Sequence, residues 1–310
     1  MHLEYNDKII YMKECIQKKN KLRTLIKQTE QDLIREKLHL NQLLEGHSKK
    51  YKKVLSLNID SINKLFFTIL NSKEDQVEIE MQEALKVKLI YDECKHNVDY
   101  LVEESKKLVD EISNIVTCEE KEYEGLIDKK IEKTSICDSD TCEKLKRLIK
   151  RRDNISSNIR EADEAIEVGE KALSMVEKTI KALENVEDWG NWDKKDQLIE
   201  AENMDIDEAV NYAEEAQRLL GKFKREIADI NMITNTDITV THFETFSSKF
   251  YDSLIYDFVV LTEIGRTMDI VKYTKNHIDK AMSKLYEEKI TNEFLYNQMQ
   301  EQINNLIKSA

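Results

Sequence analysis

Residues 145–183 read LKRLIKRRDNISSNIREADEAIEVGEKALSMVEKTIKAL. Two interleaved series run through them, each repeating every seven residues. One is Leu145, Arg152, Ile159, Ile166, Leu173 and Ile180; the other is Leu148, Ile155, Ala162, Gly169, Val176 and Leu183. Their offsets alternate three and four, so both fall on one seam of a single helix, the heptad signature of a coiled coil. At 1.5 Å per residue this segment is roughly 57 Å long, beyond the usual helix of a globular domain. Two seam positions stand out. Arg152 must either meet a partner, such as a carboxylate from a neighbouring helix that fixes register, or lead its stem out to solvent. Gly169 costs about 1 kcal/mol of helix stability relative to alanine, and fits a close backbone approach, a bend or simple tolerance.

Towards the N-terminus the same habit recurs less cleanly, with Val87, Cys94, Leu101, Leu108 and Ile115 at seven-residue spacing, and Ile26, Leu33, Leu40, His47 and Val54 before them. The spacing predicts a first helix over most of 3–56, a shorter piece near 59–71 carrying Leu65, Phe66 and Ile69, and long helices at about 74–134 and 141–187. Ser72 with Asp75, and Asp140 with Glu143, stand at capping-box spacing where the last two would start. Short connections between long helices imply antiparallel neighbours. The fold class is therefore all-α: an elongated antiparallel coiled coil or long-helix bundle over 1–187, with a smaller C-terminal helical part over 188–310.

Trp189, Gly190, Asn191 and Trp192 interrupt the heptads and hold both tryptophans of the chain. They mark the expected turn between the two parts, either an apolar plug or an exposed anchor for a partner. A new helix is expected after Asp205, carrying Ala209, Ala213, Ala216, Leu220, Phe223, Ile227 and Ile230 in an unbroken alternation of four and three. The β-branched run within Asn231–Thr241 suits an extended linker. Helix resumes at Thr241, with an aromatic stripe of Phe243, Phe246, Phe250, Leu254, Phe258, Leu261, Ile264 and Met268, and Ile290–Leu306 forms a last amphipathic helix.

Composition bounds the function classes. The 310 residues include no proline and only six glycines, and 35% are charged, as long helices with a large lateral surface require. A formal net charge of −13 repels phosphate backbones, which argues against nucleic acid as a partner. The basic run Lys144, Lys146, Arg147, Lys150, Arg151 and Arg152 is the local exception, as a solvated helix face or a site for an acidic partner. Leu65–Leu70 and Phe258–Leu261 fall far short of the roughly 20 residues that span a bilayer. No apolar leader follows Met1. Five cysteines without a C-x-x-C pair suit reduced thiols in a cytoplasm. Glycine-rich phosphate loops, nucleophile elbows and H-E-x-x-H are absent, and the six histidines never stand three or four apart. No catalytic residue, metal site or cofactor is implied.

The segment Val186–Asp193, followed by Ala216–Phe223, Glu226–Asp229 and Phe250–Val260, resembles an uncharacterised family of bacterial coiled-coil proteins with a W-G-x-W-D segment. The resemblance covers roughly 180–285 and departs at Lys194–Gln197, where the family is glycine-rich. It implies no activity. The expected function is a cytoplasmic scaffold or adaptor that binds protein partners, with self-association through the 145–183 seam as one route. Two other classes stand beside it: a helical-bundle, pore-forming-toxin-like protein releasing 65–70 or 254–265 into a membrane, and an enzyme or signalling domain within 186–310 whose tryptophans and aromatic stripe line a pocket.

Overall fold

A chain without proline has little to stop its helices, and the described residues of the computed structural model form seven α-helices and one 3-10 turn. It describes residues 2–46, 75–115, 120–133, 139–190, 199–234, 238, 240–257 and 264–309. The helices are α1 (His2–Gly46), α2 (Asp75–Asn114), α3 (Glu120–Lys133), α4 (Ser139–Gly190), α5 (Ile199–Thr234), α6 (Phe246–Tyr256) and α7 (Gly265–Ser309), with the 3-10 turn at Thr241–Thr245 ahead of α6. No strand is present among the described residues.

The 52-residue α4 is the axis on which the rest is laid. Both seam series are buried or half-buried along it. A third series, Ala165, Ala172 and Thr179, is buried beside them. Three series make a face wide enough for two partners, and α4 lies between α5 and α7. Gly169 shows the sandwich directly: a Cβ there would stand 2.8 Å from the Phe223 ring of α5 and closer still to Met282 Sδ of α7. Close approach is therefore the reason for glycine in this seam.

Cross-helix pairs give the directions. Along α4 the partners Arg152, Asp163, Glu170 and Glu177 meet Gln300, Lys289, Tyr286 and Lys275 of α7 in descending order, so the two helices are antiparallel. Helix α5 also runs against α4, with Phe223 at Gly169 and Tyr212 beneath the Lys178 ammonium. Between α2 and α5 the pairs His96–Glu214, Tyr100–Arg218 and Glu104–Lys222 advance together by four residues, which marks parallel helices in constant register.

The core formed by α4, α5, α6 and α7 is apolar and continuous, holding Phe223, Phe243, Phe246, Phe250 and Tyr251 fully buried among alanine, leucine and isoleucine. Each such side chain contributes about 1.5–3 kcal/mol by leaving water. This core runs across the Trp-containing break, joining helices on both sides of the expected 187/188 boundary. A smaller cluster, with Ile9, Met12, Ile16, Tyr123, Ile127, Leu145, Ile149 and Ile303, seats the start of α1 and all of α3 on the ends of α4 and α7.

Two side chains finish the C-terminal joints. Gln217 on α5 accepts from the Ser247 N–H and donates to the Phe243 carbonyl, both at 3.0 Å, which satisfies backbone groups at the start of α6. The buried Asp257 accepts from the Thr267 N–H at 2.8 Å and hydroxyl at 2.9 Å, supplying from outside the cap that α7 lacks in its own sequence.

Several boundaries differ from those the sequence implies. The expected 74–134 helix is two helices, broken at Ile115; the β-branched run Ile115-Val116-Thr117 opposes helix there. Helix α4 continues through Trp189 and Gly190 instead of ending at 187, and α5 begins at Ile199, ahead of Asp205, because Ile199–Met204 are mostly good helix formers. Helix α5 also extends to Thr234, into the expected linker, and the expected tail helix is the end of a 45-residue α7. Polar residues hid that length: Thr274 and Asn292 sit buried on its core face, each bonding the carbonyl four residues back. The described seam of α4 is covered by helices of the same chain. Trp192, His47, and Leu65–Leu70 lie outside the described residues.

Candidate functional site

The basic run of α4 and the acids of α3, on consecutive helices, meet in space. Lys146 bonds Asp128 at 2.6 Å and Lys150 bonds Glu124 at 2.9 Å, while Arg147 pairs with Glu143 on its own helix. Two of the six cations of this run thus find their acidic partner on the neighbouring helix.

Arg152 closes the run from inside. It is 3% exposed, and its Nε donates to Asp153 Oδ1 at 2.9 Å while Nη1 donates to Gln300 of α7 at 3.1 Å. Asp153 in turn accepts from the Tyr123 hydroxyl of α3 at 2.7 Å. Of the two expected fates for this charge, burial with a partner is the one observed, but the carboxylate comes from the adjacent residue of the same helix. The helix-to-helix links are made by Gln300 and Tyr123. A buried charge with these donors and acceptors in place ties α3, α4 and α7 at one level, and burial beside the Asp153 carboxylate pushes the Tyr123 hydroxyl well above its ordinary pKa. A cleft of about 260 Å³ adjoins this level, bordered by Lys13, Gln17, Arg152, Ser156 and Arg160.

A second polar cluster lies farther along α4. Lys21 of α1 reaches Glu161 at 2.6 Å, Glu226 of α5 at 2.8 Å, and Glu164. Burial opposes the Lys21 charge, but Glu226 first and then the hydrogen bonds to Glu161, Glu164 and Glu226 outweigh it and raise its pKa. Arg160 also pairs with Glu161 at 3.5 Å and Glu164 at 3.6 Å, yet burial raises the Glu226 pKa despite Lys21, and burial raises that of Asp229 as well. Glu161, Glu164 and Glu226 are close enough to one another to hold a cation, but Lys21 already fills that role. The cluster is a junction of α1, α4 and α5.

The described members of the aromatic stripe that raised the idea of a pocket are core. Phe223 stacks on Phe243 with ring centroids 5.8 Å apart, and Phe246 lies 6.0 Å from Phe250, all fully buried. Trp189 and Gly190 fall in the last turn of α4, and Trp192 lies beyond the described residues, so the Trp-containing turn has no described geometry. No helix among the described residues is long and apolar enough to cross a membrane.

Exposed apolar side chains on α7 form the surface that sequence reading missed. Ile290 is 65% and Phe294 67% exposed, and Tyr286 stands one further turn back on the same face, its hydroxyl bonded to Glu170. Their signal was present in the four-residue spacing, but a stripe pointing away from the core has the same periodicity as one pointing in. Compared with protein-family models, curated proteins and solved structures, the chain has no match in any of the three.

Proposed function

We propose that this chain is a non-enzymatic scaffold or adaptor of the bacterial cytoplasm that recruits a protein partner to the outer face of α7. The observation that carries the reading is the stripe of Tyr286, Ile290 and Phe294 on the face of α7 turned away from the core. Single exposed apolar residues are ordinary, but three at successive turns of one helix make the anchor spacing by which helices dock on partners. Helix α4 alone, at 52 residues, is about 78 Å long, in keeping with an elongated antiparallel bundle that presents such a face along a rod. Cys15, Cys94 and Cys142, none of them in a disulfide, suit a reducing compartment.

The test compares wild type with an Ile290→Glu/Phe294→Glu double variant. Both positions face water, so helicity and thermal midpoint should be unchanged. Quantitative affinity capture from the native host should lose a defined partner with the variant, and light scattering over a concentration series should report whether that partner is a second copy. Retention of every captured protein and of the mass in solution by the variant would remove α7 as the contact face.

A further inference from the structure

One side-chain cluster outside these junctions mixes oxygen, nitrogen and sulfur donors. Glu36 and His39 are three residues apart on α1 and so share a face. Helix α2 runs antiparallel to α1 and brings Cys94 to that face. Cys94 Sγ stands 3.3 Å from Glu36 Oε2, and a ring nitrogen of His39 completes a set in which all three donor atoms lie within 4.8 Å of one another.

We propose that Glu36, His39 and Cys94 form a binding site for a divalent transition-metal ion of the zinc class. Zinc bonds of about 2.3 Å to sulfur and about 2.0 Å to oxygen, set tetrahedrally, place those two atoms about 3.5 Å apart, close to the spacing the thiol and carboxylate already have. His39 is exposed, so its ring is free to close the remaining gap by rotation. A thiolate and an imidazole select against calcium and magnesium, which take oxygen donors. On binding, the Cys94 proton passes to solvent as the metal–sulfur bond forms, with no change of oxidation state. Glu36 also borders a cleft of about 510 Å³ between α1, α2 and α5, which gives the ion a way in and leaves a fourth position for water.

The contrast with the carboxylates around Lys21 is chemical. That set offers oxygen alone and already encloses an ammonium, whereas no ion pair to Glu36, His39 or Cys94 occurs among the described residues. The position has a structural consequence too: beyond Thr29 the described part of α1 buries no residue fully, and a metal bridging α1 to α2 would fasten the stretch that apolar packing leaves least secured.

The full chain, reduced and metal-free, is titrated with cobalt(II) as the spectroscopic probe and with zinc against a chromophoric chelator. One equivalent should bind, with a thiolate-to-cobalt charge-transfer band and the visible bands of a tetrahedral ion, and zinc should displace it. His39→Ala, at an exposed position that folding does not need, should weaken zinc by about tenfold or more. Cys94→Ser should remove the charge-transfer band. Absence of that band in wild type, its persistence in Cys94→Ser through another thiol, or zinc affinity unaltered by His39→Ala would each overturn the site; the His39→Ala result stands even where Cys94→Ser fails to fold.

Discussion

The α4, α5, α7 core and the attachment of α1 and α2 to it are built from helices of similar length and composition, yet they are held by different forces. Within the core, Phe223 packs against Gly169, and small residues at 165, 172 and 179 let the helices close. Where α1 and α2 meet α4 and α5, ion pairs recur: Lys21 with two carboxylates of α4 and one of α5, Arg225 with Asp32 at 3.0 Å, Lys222 with Glu104 at 3.0 Å. Apolar contacts gain from burial without regard to salt, while charged ones must first meet the cost of leaving water. The core is therefore set by shape, and these contacts of α1 and α2 by charge balance.

The largest effect should come from the shape side. Phe223→Ala empties a fully buried ring site between α4 and the 3-10 turn, and should cost about 3–5 kcal/mol in denaturant unfolding. A loss below about 1 kcal/mol would mean that the core collapses around the gap and that its fit is not decisive.

On the charge side, Lys21→Met leaves Glu161, Glu164 and Glu226 with only the Arg160 guanidinium paired to them among the described residues, and should cost about 2–4 kcal/mol at neutral pH, somewhat less than a fully enclosed pair because Lys21 keeps some access to water. Glu226 already has its pKa raised by burial above the ordinary 4.5. A carboxyl whose folded pKa is raised binds its proton more tightly in the folded state, so stability grows as pH falls from above the folded value toward 4.5. The deficit of Lys21→Met should accordingly shrink between neutral pH and about pH 5. A deficit independent of pH would show that packing of the lysine stem, and not its charge, is what holds α1.

The smallest effect should appear at Lys222→Ala, which removes a partly exposed pair between α2 and α5 and should cost about 1 kcal/mol or less, falling further as salt is added. An equal loss at high salt would assign this contact to the packing of the Lys222 stem over the Tyr100 ring, 5.2 Å from its ammonium, and blur the division between the two kinds of contact.

Much of the core was legible because heptad spacing reports burial directly. Residues 145–183 and the alanine-rich run from Ala209 to Ile230 lie where their periodicity places them. What escaped was chemistry carried by partners distant in the chain. Ala165, Ala172 and Thr179 do repeat at seven, but small residues read as filler until a second helix is known to press on them. Arg152 stood out as a charge on a seam, yet its ties to Tyr123 and Gln300 could not be read before the helices were placed. Lys21 is one lysine among many, and Glu36-x-x-His39 is an ordinary helical pair until Cys94, more than fifty residues later, is set beside it.

The order in which the chain is synthesised gives α4 an unusual history. Its two partners both follow it, and the outer one, α7, comes from the last stretch of the sequence, Gly265–Ser309. During translation the axis of the core therefore emerges with a long apolar flank that only later residues can close. At about 5–20 residues per second the interval between them lasts several seconds or more. Over that time the nascent chain presents adhesive surface to chaperones and to neighbouring ribosomes' products, and a ribosome halted before Gly265 would release a species with that flank permanently open.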